Sequence, residues 1–82
     1  MEERIRQVIA GHARLATDVA DLTDTADLYA AGMTSHASVN LMLALENEFD
    51  IEFPDRMLRR GVFESISSIR AALEELASEA AA

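Results

Sequence analysis

The sequence predicts an all-α fold of four helices, with the third short and a long loop between the first two. Apolar residues recur at intervals of three and four along separate stretches, the spacing of one helical face. Proline occurs once and glycine three times among 82 residues, while alanine is abundant, so few positions interrupt a helix. No run of alternating apolar and polar residues is long enough to mark a strand. A chain of this length makes one domain, residues 1–82.

The first helix is expected from Glu2 to Leu15. Ile5, Val8, Ile9, His12 and Leu15 share one face, with His12 on or beside it, and Glu2 and Glu3 complement the positive end of the dipole. The connection from Ala16 to Thr34 is long for a small domain and must be held down by its own apolar residues, Val19, Leu22, Leu28 and Tyr29. Its acids, Asp18, Asp21, Asp24 and Asp27, recur every third residue. That spacing departs from a calcium loop and reads as turn and capping chemistry.

The second helix is expected from Ser35 to Phe49, with Val39, Leu41, Met42, Leu45 and Phe49 as its buried stripe. Leu43 and Ala44 carry apolar character round most of the circumference, as in a helix that is deeply buried or offers a face to a partner. Pro54 then stops helical continuation. Asp55 is placed to cap a short third helix ending near Gly61, and Ser65 to cap the last helix, whose stripe is Ile66, Ile69, Leu73 and Leu76. Residues Ala77 to Ala82 are expected to fray.

Fifteen acids against seven arginines, with no lysine, leave a net charge of −8. Phosphate repulsion sets that charge against nucleic acid and anionic membranes, and favours basic protein partners. No apolar stretch is long enough to span a bilayer and the N-terminus lacks the form of a signal peptide, so a cytoplasmic monomer is expected. Without cysteine there are no disulfides, no common zinc site and no thiol nucleophile. The two histidines stand alone, and no nucleophile–base or carboxylate pair suggests an enzyme.

One serine stands out. Ser35 follows Gly32-Met33-Thr34 where the irregular acidic segment gives way to the second helix. A hydroxyl in a helix's first turn is exposed, faces unpaired backbone N–H groups, and sits at the positive end of the dipole, which favours a phosphate ester. The plainer reading is that Thr34 or Ser35 is only an N-cap.

The ordered set Asp27-Leu28, Gly32-Met33-Thr34-Ser35, Leu41-Met42-Leu43-Ala44-Leu45-Glu46, Glu48-Phe49, Ile51-Glu52-Phe53-Pro54-Asp55 and Ile66-Ser67-Ser68-Ile69 resembles the acyl carrier protein family over nearly the whole chain. The resemblance implies an up-and-down four-helix bundle in which Ser35 carries 4′-phosphopantetheine, transferred from coenzyme A by a phosphopantetheinyl transferase. The arm's thiol would hold an acyl or aminoacyl group as a thioester, and the protein itself would catalyse nothing. Ser38 has the wrong offset from Gly32 to be the attachment site.

Two departures from the family pattern point away from general fatty acid synthesis. Thr34 stands where Asp is usual and His36 where an apolar residue is usual, placing a titratable ring beside the arm. From Ser35 to Leu45 there is no charge apart from any on His36, where such carriers bear acids that meet basic partners. The runs Leu-Tyr-Ala-Ala-Gly-Met-Thr-Ser and Asp-Ile-Glu-Phe-Pro-Asp look like those of a bacterial subgroup loaded with amino acids by truncated relatives of seryl-tRNA synthetase. The implied partners are the transferase, such a ligase and a downstream acceptor enzyme.

Thr34, His36, Val39, Met42, Leu43, Arg56, Arg59 and Arg60 are candidate contacts to the arm or to partners. Plainer readings stand beside these: core packing for Val39, Met42 and Leu43, favoured for Val39, and for the three arginines a solvated face that offsets nearby acids. The alternative to a carrier is a helical adaptor or dimerisation module using the apolar surface of the second helix.

Overall fold

In the computed structural model, which describes residues 2–13, 15 and 18–81, the chain is all-helical. Its α-helices among the described residues are α1 (Glu2–His12), α2 (Ser35–Phe49) and α3 (Ile66–Ala81). Short 3-10 turns at Val19–Asp21, Asp55–Met57 and Arg60–Phe63 complete the described secondary structure.

α1 ends before the expected Leu15, with Gly11 in its last turn weakening continuation. It buries Ile5, Val8 and Ile9, while His12 is exposed beside the stripe. The following loop is packed as its apolar residues require: Val19 and Leu28 are buried, and Leu22 and Tyr29 rest on the core. Asp18 caps the first 3-10 turn by accepting from the Ala20 N–H at 3.0 Å. Asp27 Oδ1 accepts from the Tyr29 and Ala30 N–H groups at 2.9 and 3.3 Å. Arg6 holds the loop from α1, donating to the Val19 carbonyl and to Asp24, each at 2.8 Å. Two backbone bonds tie the loop to the start of α3: Leu28 N–H to Glu64 O at 2.7 Å and Ser67 N–H to Asp24 O at 2.8 Å.

α2 has the bounds the sequence predicts, but a different buried face. Ala37, Leu41 and Leu45 form the stripe at four-residue intervals. Val39 and Leu43, each two residues from Leu41, lie about 200° round the helix and are 51% and 53% exposed. The expectation that Val39 packs in the core is therefore corrected; Met42 and Phe49 are half-buried against it. α2 stops at Asp50, whose φ of 52° is left-handed, a conformation Asp tolerates better than most residues.

The short third α-helix is absent among the described residues and is replaced by the two later 3-10 turns. Pro54, not Asp55, takes the N-cap position of the first, with no side-chain cap bond. Leu58, at φ −83° and ψ 63°, then leaves helical geometry. Met57 and Phe63 anchor the segment, with Phe63 edge-on to Phe53 at 5.3 Å between ring centroids. Ser65 performs the expected cap, its Oγ accepting from the Ser68 N–H at 3.1 Å. α3 is helical through Ala81, and Ala82 lies outside the described residues. Arg56 pairs there with Glu75, 3.5 Å away, and with Glu79.

Candidate functional site

Ser35 is the first residue of α2 and is exposed. The loop delivers it by a built turn. Gly32 takes φ 115°, closed to most side chains, the Met33 N–H donates to the Leu28 carbonyl at 3.0 Å, and the Met33 side chain is buried. Thr34 is the N-cap: its Oγ1 accepts from the Ala37 N–H at 3.0 Å and its carbonyl accepts from the Ser38 N–H at 2.9 Å. With Thr34 doing the capping, the Ser35 hydroxyl has no part in closing the helix, and it projects at the positive end of the dipole.

Beside it opens a groove of about 390 Å³ lined by Tyr29, Ser35, Ser38, Val39, Met42, Leu58, Arg59, Arg60 and Phe63. Ser38 Oγ donates to the Ser35 carbonyl at 2.7 Å, so it is occupied in the helix's own first turn. The Arg60 guanidinium carbon lies 3.8 Å from the Tyr29 ring centroid, fixing the cationic lip of the groove. Leu58 is 46% exposed at the same opening.

Of the residues singled out from sequence, the structure brings together Ser35, Val39, Met42, Arg59 and Arg60. Thr34 and His36 are exposed next to Ser35 but do not line the groove. Leu43 belongs to a different cleft with Gly11, His12, Asn40 and Ala44. Arg56 is committed to the α3 carboxylates. Tyr29 was read from sequence only as a packing residue and Leu58 and Phe63 were not singled out, because their convergence on Ser35 depends on how the 3-10 segment folds back. A larger groove of about 550 Å³, between that segment and α3, does not include Ser35.

The two acids at the C-terminal end of α2 are used internally. Glu46 Oε2 accepts from the Phe53 N–H at 2.9 Å. Glu48 pairs with Arg4 at 2.9 Å, and that guanidinium also lies 4.5 Å from the Phe49 ring centroid. The exposed face near Ser35 therefore offers hydroxyls, an imidazole, apolar surface and the two arginines of the groove.

Residues 3–76 match the family described as phosphopantetheine attachment site. The chain belongs to this family. It is a carrier domain rather than an enzyme, and its cofactor is phosphopantetheine. Over 69 residues the carrier domain is 52% identical to an aminoacyl carrier protein of Agrobacterium fabrum, covering 84% of this chain and 83% of that one. It is 33% identical over 69 residues to aminoacyl carrier protein 1 of Bradyrhizobium diazoefficiens, covering 84% and 77% of the two chains.

Solved structures agree. The carrier domain superposes with a TM-score of 0.88 and 49% identity on a chain in the complex of an engineered Bradyrhizobium japonicum glycine:[carrier protein] ligase with carrier protein from Agrobacterium tumefaciens and AMP, covering 90% of this chain and 99% of that one. It matches a chain in the complex of the Bradyrhizobium japonicum ligase with glycylated carrier protein at a TM-score of 0.74 and 32% identity, covering 87% and 95%. The carrier domain is thus a homologue of specialised aminoacyl carriers, and the adaptor reading falls away.

Proposed function

We propose that this chain is a single aminoacyl carrier domain, residues 1–82, with its phosphopantetheine arm on Ser35. The observation that carries the assignment is the coincidence of three features at one point. An exposed hydroxyl opens α2, the cap is supplied by its neighbour Thr34, and a groove with apolar walls and two arginines begins beside it. This donor set fits the group. A phosphodiester suits the helix N-terminus and guanidinium groups, and a neutral chain suits Val39, Met42 and Leu58.

When bound, the arm supplies a flexible tether ending in a thiol that holds the aminoacyl group as a thioester. The chain's own residues expose, orient and present. Thr34 keeps the first turn of α2 closed, so the Ser35 oxygen remains accessible to a transferase. Val39, Met42, Arg59 and Arg60 contact the arm, while Thr34, His36 and Leu43 contact partners. Attachment to a body this small raises the cargo's local concentration at a docked enzyme.

The partners we infer are a phosphopantetheinyl transferase, an amino-acid ligase related to seryl-tRNA synthetase, and an acceptor enzyme, meeting a cytoplasmic monomer. Relatives described in complex with a glycine:[carrier protein] ligase support the ligase class and make glycine the first cargo to test. In this reading the paired 3-10 turns stand where the third helix of a four-helix up-and-down bundle would.

The test is intact mass after incubation with coenzyme A and a broad-specificity transferase, beside Ser35→Ala. A gain of one phosphopantetheinyl group that the variant lacks supports the assignment. No gain in the folded native chain, or an equal gain in Ser35→Ala, removes it.

A further inference from the structure

The groove beside Ser35 is a positive spot on an acidic chain. With Arg14 outside the described residues, six of the seven arginines can be placed. Arg4, Arg6, Arg56 and Arg70 are each paired with a carboxylate. Arg59 and Arg60 make no ion pair among the described residues, and both line this groove. None of the lining residues is Asp or Glu, although the chain holds fifteen acids. The rest of the lining is largely apolar: Val39, Met42, Leu58 and Phe63.

Such a surface distinguishes the two ends of a loaded arm. Near its attachment the arm is an anionic phosphodiester followed by neutral amides and methylenes. At its tip an aminoacyl group carries an ammonium. Arg59 also borders the neighbouring groove that holds Glu75, but on this side a cation brought against two guanidiniums with no carboxylate in the lining is repelled, the more so where apolar walls thin the surrounding water. A neutral tip of the same size meets no such repulsion and gains apolar contact.

We propose that this groove sorts the arm from its cargo by charge, with Arg59 and Arg60 retaining the anionic and neutral portion and keeping an ammonium-bearing tip outside. The inference rests on attachment at Ser35 and deepens that reading by giving the groove a specificity. Aminoacyl groups are presented to partners, whereas short neutral acyl groups are sheltered. Arg60 is the more rigid of the two gatekeepers because it is stacked on Tyr29.

The test compares glycyl and propionyl tips, which differ by an ammonium in place of a methyl group. Both are installed by the transferase from coenzyme A analogues with a hydrolysis-resistant amide in place of the thioester. Amide NMR spectra are recorded at about pH 6, where an α-amino group is protonated. Relative to the unloaded arm, the propionyl tip is expected to shift the Ser38, Val39, Met42 and Leu58 amides about threefold more than the glycyl tip. In Arg59→Gln/Arg60→Gln the difference should fall by at least half, the remainder being the cost of bringing an ammonium to the apolar walls. The single variant Arg59→Gln, which leaves the Tyr29 stack in place, should narrow the difference. Inorganic phosphate added to the chain without its arm is expected to shift the Arg59 and Arg60 amides but not to mimic the tip effect.

Equal shifts from the two tips in the native chain, or a difference undiminished in the double variant, overturn the charge-sorting proposal alone. Absence of any arm by intact mass, measured before the spectra, overturns the Ser35 assignment and this inference together.

Discussion

The Arg60 guanidinium stands 3.8 Å from the centre of the Tyr29 ring, joining the long loop that delivers Ser35 to the 3-10 segment across the groove. This contact sets the groove's width from both sides. A double-mutant cycle of Tyr29→Leu and Arg60→Gln should give a coupling of about 0.5–1 kcal/mol in urea unfolding, the value of an exposed cation–aromatic pair. A coupling indistinguishable from zero would remove the stack as a determinant of groove shape.

Thr34 and Ser35 divide structure from chemistry. Thr34→Ala should cost about 1 kcal/mol, because it removes the acceptor for the Ala37 N–H. Ser35→Ala should leave stability nearly unchanged while abolishing modification. Denaturant midpoints for the two variants, read beside intact mass, check both halves. A large loss of stability in Ser35→Ala would mean that its hydroxyl does more in the fold than the bonds described.

Glu46 and Glu48 have internal tasks, which separates recognition from stability. Glu46→Arg should destabilise by about 1–3 kcal/mol by orphaning the Phe53 N–H. At temperatures where the variant is folded, its loading by the amino-acid ligase should nevertheless stay close to native. Substitution of the exposed His36 should slow loading with little change in stability, and substitution of the half-buried Met42 should slow it at a modest cost in stability. The reverse order in a loading assay would restore acidic docking as the mode of recognition.

Asp50 ends α2 at φ 52°. Replacement by glycine should stabilise by roughly 0.5 kcal/mol, since a left-handed residue without a Cβ avoids strain that outweighs the added freedom of the unfolded chain. Thermal unfolding of Asp50→Gly tests the sign, and a lowered midpoint would show that strain at Asp50 is smaller than the freedom glycine adds to the unfolded chain.

Much of this architecture was readable from residue order, for identifiable reasons. The bounds of α2, the Ser65 cap and the packing of the loop through Val19 and Leu28 follow from local patterns, and those patterns dominate wherever neighbours in sequence are neighbours in space. The outward turn of Val39 was not readable. It is apolar like its neighbours, and only the phase set by Ala37, Leu41 and Leu45 shows that it faces a groove. The third segment failed as an α-helix because Pro54 and Leu58 leave too few residues between them to sustain one. Nor could sequence say which arginines are bare. Arg70 finds Glu2, and Arg4 finds Glu48, across separations that exist only after folding.

The bonds from Leu28 to Glu64 and from Ser67 to Asp24 fasten the loop to the first turn of α3 and to the residue before its cap, and this changes what kind of loop it is. It cannot lift away without disturbing a core helix, so its opening is tied to cooperative unfolding rather than to independent motion. The amides of Leu28 and Ser67 should exchange with solvent at similar, slow rates, and proteases should find the segment before Ser35 a poor substrate despite its length. A domain handed from one enzyme to the next would then meet each of them with the same rigid pedestal, leaving all the reach to whatever the serine carries.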